Sequence, residues 1–276
     1  AELNLSIALA NLGWGGRSRW ISVVPHGPMG EALLQEAASA HISAASAEES
    51  LQLVRRAEGD LGIYHVWPAE GKVAFQRRNS TFGLMDPDWF SEDFWRGVLS
   101  EQTTASDAGE GGAAPGAPKP PHVLHLTGIT PLIGPRSHKA WWRALRVARE
   151  LRSEAALAEG DAVAVAARPR LVVTLDLNHR PALGTFEDLW FMVEPHVGTL
   201  DVLVLSVGDL LKLGKLLDVP DAARMFLDTE VPKGLPGAPA LEAVVRRALL
   251  ALQDRLGHRA ALVVCCKQRD VAPRAP

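Results

Sequence analysis

The chain has 276 residues, 47% hydrophobic and 22% charged, with 29 basic against 32 acidic side chains and a net charge of −3. This is an ordinary globular composition, long enough for one large α/β domain or two smaller ones with a sizeable core. It carries no long basic run to support a nucleic-acid partner and no run of about 18 uncharged apolar residues to suggest a membrane-spanning helix. Its two cysteines, Cys265 and Cys266, are neighbours and form no disulfide framework, which points to a reducing, cytoplasmic setting.

Leu3, Ile7, Ala8, Ala10 and Leu12 follow helical spacing, and Gly13 suits a helix C-cap. Because the chain enters directly into this amphipathic pattern and stops just after an apolar strand, both ends are expected to continue. "RWISVVP" (Arg19–Pro25) reads as a strand, and "HGPMGEALLQEAASA" as a Gly/Pro turn opening a helix. "GIYHVWP" (Gly62–Pro68) and "KVAFQRRNS" (Lys72–Ser80) alternate as two strands of a hairpin. A helix is predicted over Asp86–Leu99, with Ser91 capping its later part. Residues 101–121, rich in Gly, Ala and Pro, have almost no apolar bulk and read as a disordered insertion.

From His122 onward short apolar strands alternate with helices. The strands are "HVLHLTGI" (His122–Ile129), "LVVTLDLN", "LDVLVLS" (Leu200–Ser206) and "AALVVCC" (Ala260–Cys266). The helices are Ser137–Gly160, Phe186–Val197, "VGDLLKLGKLL" and Gly237–Gly257. This order predicts parallel βαβ units covered on both faces. Ligands then bind beyond the carboxyl ends of the strands. Thr127-Gly128, Asp176–Arg180 and Ser206–Asp209 all lie at such ends and are expected on one edge.

Each of these segments has two readings. Asp176, Asn178, His179 and Arg180 can be a βα loop, with Asp as a cap, Asn in αL and Pro181 starting a helix. They can equally be a site, because Arg180 offers a planar fork for carboxylate or phosphate and Asn178 both donates and accepts. The hairpin, with Tyr64, Phe75, Arg77, Arg78, Asn79 and Ser80, is either a charged edge that resists aggregation or a lid gripping an anion. On spacing, Ser206 or Asp209 is first of all an N-cap, and alternatively a group that orders magnesium waters near phosphates. The histidines show no metal-ligand spacing, so zinc is not expected. No Walker-type GxxxxGK[ST] and no GxGxxG after a strand are present.

Taken together, several segments resemble the ribokinase/PfkB carbohydrate kinase family, most of all its 2-keto-3-deoxygluconate kinase branch. "AELNLSIALANLG" resembles the amino-terminal Ala-x-x-Asn-x-Ser/Ala signature, and "VVPHGPMGEALLQEAASAHIS" the strand, turn and helix that follow. "GIYHVW" with "VAFQRRNSTF" resembles the lid hairpin, and "LHLTGIT" the "hxSGI" strand end. "TLDLNHRPAL" resembles "FDxNxRPxLW", and "DVLVLSVGDLLKL" resembles "ADxxxxNxxE". The likeness covers nearly the whole chain apart from 101–121.

The resemblance implies an α/β, ribokinase-like fold: a largely parallel sheet sandwiched between helices, with a small β lid from about 17–25 and 62–80. It implies ATP and magnesium as cofactors. A homo-oligomer joined through the lid would fit it. Asn4, Tyr64, Phe75, Arg77 and Arg180 would bind the sugar, with Arg180 holding its carboxylate or the transferring phosphate. Asn178, Ser206 and Asp209 would lie near the ATP phosphates, with Asp209 reaching metal through water and no direct metal ligand.

The departures are informative. Phe75 stands where that branch often has Tyr, Asp209 replaces Glu, and Gly184 replaces Trp. The family's "GAGD" segment, which supplies the anion hole and the general base, has no counterpart in these residues. The expectation is therefore an incomplete, C-terminally truncated copy, weakly active or inactive alone. A kinase-fold sugar sensor or scaffold without catalysis is the alternative.

Overall fold

The computed structural model describes residues 2–14, 18–42, 53–70, 72–100, 122–157, 171–219, 238–257 and 260–265. The expected insertion at 101–121 lies outside them. The main sheet holds four parallel strands in chain order: β5 (His122–Thr127), β6 (Leu171–Asp176), β7 (Val202–Ser206) and β8 (Ala261–Cys265). The crossovers run through α4 (Ile129–Ile133) and α5 (Pro135–Leu157), then α6 (Phe186–Val193), then α7 (Val207–Leu216) and α8 (Ala238–Arg255).

Period-two alternation orients the sheet. Leu124 and Leu126, Val173 and Leu175, and Leu203 and Leu205 are buried on one face. There they meet Trp141, Ala144, Leu145 and Ala148 of α5, at the helical spacing expected of that face. On the opposite face Val123 and Val263 stay 59% and 43% exposed. The two faces are thus unequally covered among the described residues, where the apolar strands predicted equal cover.

Two smaller sheets precede it. β1 (Ser22–Pro25) and β2 (Val54–Ala57) pair in parallel around α2 (Pro28–Ser39), a single βαβ unit with Trp20, Val24, Ala37, Ile42 and Val54 as its core. β3 (Ile63–Trp67) and β4 (Lys72–Gln76) form the antiparallel hairpin. β1, which lies in the segment 17–25 assigned with the hairpin to a lid, pairs with β2 and not with β3 or β4. α1 (Glu2–Leu9) continues into a kinked turn in which Gly13 takes φ 86°, the left-handed conformation expected of a C-cap glycine.

Residues 86–100 divide as the Ser91 cap predicts. A 3₁₀ turn spans Pro87–Phe90, then α3 (Glu92–Ser100) starts with the Phe94 N–H donating to Ser91 Oγ at 3.2 Å. Pro181 does not begin a helix. α6 starts five positions later behind Thr185, whose hydroxyl accepts from the Asp188 N–H while the Asp188 carboxylate accepts from the Thr185 N–H. This reciprocal capping box outweighs the proline.

At the amino ends of the strands Asp201 ties three of them together. Its carboxylate accepts from the Val173 N–H at 2.8 Å and from the Arg152 guanidinium at 3.1 and 3.2 Å. Its N–H and C=O bond Val173 and Ala261. Asp201→Ala leaves the Val173 N–H without its partner and is expected to cost about 1–3 kcal/mol in urea unfolding. Asp201→Asn, which keeps that acceptor and removes only a half-exposed ion pair, is expected to cost less than about 1 kcal/mol.

Candidate functional site

The carboxyl ends of β5, β6 and β7 do converge. At the end of β5, Thr127 and Thr130 donate their hydroxyls to Glu2 Oε1 at 2.6 and 2.9 Å, which moors α1 to the sheet edge. Gly128 is required here. Its N–H bonds the Asp176 carbonyl at 2.8 Å, and a Cβ would lie 2.3 Å from the Leu177 carbonyl oxygen. The β5 and β6 loops therefore touch backbone to backbone.

At the end of β6 the chain makes an Asx turn. The Asn178 N–H donates to Asp176 Oδ1 at 3.1 Å, and Asn178 takes φ 41°, a left-handed conformation that asparagine tolerates. The loop reading is therefore realised in part, with Asp176 capping the turn that precedes Arg180 and Asn178 left-handed. The Arg180 guanidinium makes no hydrogen bond or ion pair among the described residues. Its charge acts on both Asp176 and Arg77.

Arg77 arrives from the end of the hairpin. Burial lowers its affinity for its proton, the Arg180 charge lowers it further, and Glu2 and Tyr64 oppose the change. The positive charges of Arg77 and Arg180 thus act against each other, with Glu2 partly offsetting that on Arg77. Next to Arg77, Arg78 donates to the Leu183 carbonyl, linking the base of the hairpin to the loop that carries Arg180.

At the end of β7 the N-cap reading holds. Ser206 Oγ accepts from the Asp209 N–H at 3.0 Å and donates to Asp209 Oδ2 at 2.8 Å, and Asp209 is buried. Lys212, one turn further on, places its ammonium 3.7 Å from Asp209 Oδ1 and 3.1 Å from His179 Nδ1.

Burial pushes the Asp176 carboxyl above its ordinary range. The Asn178 N–H and Arg180 oppose this, while Asp209 and Glu2 add to it. Below the carboxylate range Asp176 is protonated both folded and unfolded and contributes nothing. As pH rises through its raised folded value, its ionisation destabilises the fold. Asp176→Asn keeps the acceptor for Asn178. It is expected to melt higher than the parent at neutral pH and to lose that part of the pH dependence, with no difference at acid pH; thermal melts across pH check this.

The same carboxyl pair suits a cation. Magnesium is typically held through one or two carboxylates, waters and substrate phosphates, and Asp176 with Asp209 offers that pattern. Among the described residues no three His, Cys, Asp or Glu side chains form a direct metal cage.

Of the remaining expected residues, Asn4 is exposed on α1. Tyr64 is 60% exposed and pairs in register with Phe75, whose side chain lies outside the described residues. The geometry thus gathers Arg77, Arg180, Asn178, Ser206 and Asp209, with Tyr64 at the rim. Sequence reasoning missed Glu2 and Lys212 at this edge, and took His179 only as part of the β6 loop cluster. The spacing of Asp209 and Lys212 on one helix was the only available signal for Lys212.

No protein-family model matches the sequence, and no curated protein matches it. Solved structures do match. A PfkB protein of Polaromonas is 19% identical with a TM-score of 0.55, over 96% of this chain and 65% of that one. The 2-dehydro-3-deoxygluconokinase of Thermotoga maritima is 20% identical with a TM-score of 0.55, over 90% and 58%. A fructokinase of Xylella fastidiosa with bound ATP is 16% identical with a TM-score of 0.56, over 96% and 61%. The chain spans 58–65% of the length of these proteins. Sheet order, helix placement and this likeness together give the chain the α/β fold of the ribokinase-like PfkB carbohydrate kinases.

Proposed function

We propose that the chain belongs to an ATP-dependent kinase acting on a sugar acid of the 2-keto-3-deoxygluconate type. The observation that supports this reading is the link from the hairpin to the β6 loop, made by Arg78 on the Leu183 carbonyl, which brings the charge of Arg77 to act against that of Arg180. A pair of guanidiniums suits a substrate that is itself anionic, and neutral sugars do not need it. Arg180 would take the carboxylate or the transferring phosphate, and Arg77 would close on it from the hairpin. Asn4, Tyr64 and Phe75 would contact the sugar.

Phosphoryl transfer asks mainly for positioning and neutralised charge. Asn178 and Ser206 would lie by the ATP phosphates, and Asp209 with Asp176 would hold magnesium through water. Bound there, magnesium would neutralise phosphate charge. These residues contain no equivalent of the "GAGD" aspartate, and lack of a general base typically lowers rates ~10²–10⁴-fold. An assay coupled to ADP release with 2-keto-3-deoxygluconate tests this. Turnover well below ordinary kinase rates is expected, and ordinary rates from this chain would contradict the missing base.

A sugar-acid sensor of the same fold is the second reading. It is favoured by the engagement of Asp209 with Ser206 and Lys212, which leaves its carboxylate less free for metal water. The adjacent cysteines support a cytoplasmic location for either protein.

A further inference from the structure

His179 and Lys212 take no part in the proposed binding of sugar or nucleotide, yet they form one continuous contact. His179 is buried, and both of its ring nitrogens are engaged. Nε2 lies 3.0 Å from the Gly184 carbonyl oxygen, which can only accept, so Nε2 carries the proton. Nδ1 is then the acceptor for the Lys212 ammonium at 3.1 Å. The edge of the Phe186 ring closes on the imidazole at 5.4 Å, and the ammonium lies 5.6 Å from the same ring. Lys212 also faces Asp209, which is locked to Ser206.

The chain Gly184–His179–Lys212–Asp209 therefore joins the β6–α6 loop to the start of α7. Arg180 is the next residue after His179, and its own backbone carbonyl accepts from the Leu183 N–H at 2.9 Å. The loop is held on the other side by the Asx turn at Asp176. The imidazole contact fixes the loop against α7 beside Arg180, whose guanidinium makes no hydrogen bond or ion pair among the described residues.

We infer that His179 and Lys212 are positioning residues that set the Arg180 guanidinium for its anionic ligand. The inference rests on the reading of Arg180 as the partner of a sugar acid. An unanchored loop leaves Arg180 in place chemically but spreads its orientation, so affinity for an anion falls while contacts to sugar hydroxyls persist. Lys212→Met keeps the length of the side chain and removes its proton donors.

Calorimetry with 2-keto-3-deoxygluconate and with fructose, on the parent chain, Lys212→Met and His179→Phe, tests this. The expected result is a loss of roughly tenfold or more in affinity for the acid in both variants, with fructose unchanged. Equal binding of the acid by the parent and by Lys212→Met overturns the inference, as does an equal loss for both ligands. Nitrogen-15 spectra of the Arg180 Nε–H, assigned with Arg180→Lys, give the second readout. A dispersed parent signal that collapses to the exposed-arginine position in Lys212→Met supports positioning, even if the parent binds neither sugar and the functional reading fails. A signal that does not move overturns it.

Discussion

Arg180→Ala is expected to weaken binding of 2-keto-3-deoxygluconate by roughly ten- to a hundredfold, or about 1.5–3 kcal/mol, while changing affinity for a neutral sugar far less. The asymmetry follows from the geometry. Arg180 follows β6 and makes no hydrogen bond or ion pair among the described residues, and its charge acts against that of Arg77. An anion that enters relieves a repulsion already built into the site, and a hydroxyl does not. Arg180→Lys is expected to recover only part of the loss, because an ammonium lacks the bidentate fork. Equal losses for acid and neutral sugar, read by calorimetry, would remove Arg180 as the carboxylate partner.

The largest expected effect on stability lies beneath that edge. Trp141 is among the largest fully buried side chains, packed between α5 and the sheet with its ring edge-on to His196 at 5.7 Å. Trp141→Ala is expected to destabilise the chain by about 3–5 kcal/mol in denaturant unfolding. That is a large share of the 5–15 kcal/mol typical of a whole domain. The Trp141 Nε1 has no hydrogen-bond partner among the described residues. Trp141→Phe, which discards that buried donor and keeps most of the apolar contact, is expected to cost much less. A loss as large for Phe as for Ala would mean that ring size, rather than burial, decides the packing.

Much of the fold could be read from local pattern. The strand–helix alternation after His122, the Ser91 cap and the left-handed Gly13 are short-range signals, and each appears where spacing puts it. β2 had no such signal. "VRRA" neither alternates nor runs apolar, and it becomes a strand because β1 offers a ladder, with the Ser22 and His26 N–H groups bonding Leu53 and Ala57. The start of α6 at Phe186 was legible in its apolar pattern, and only Pro181 as a helix opener misled, because Thr185 and Asp188 satisfy two backbone donors between them.

The site was legible as three strand ends and no further. Its defining contacts join Glu2 to Thr127, Arg78 to Leu183 and His179 to Lys212, residues apart in sequence. No period or spacing encodes such meetings. The electrostatic consequence, cations and carboxyls paired around one space, exists only once the sheet edge has assembled.

The most direct test of this account is calorimetric titration of the chain, without nucleotide, by 2-keto-3-deoxygluconate and by fructose side by side. The account predicts saturable binding of the acid, clear preference over the neutral sugar, and loss of that preference in Arg180→Ala. Equal affinity for the two sugars, or no binding of the acid to a folded chain, would contradict it.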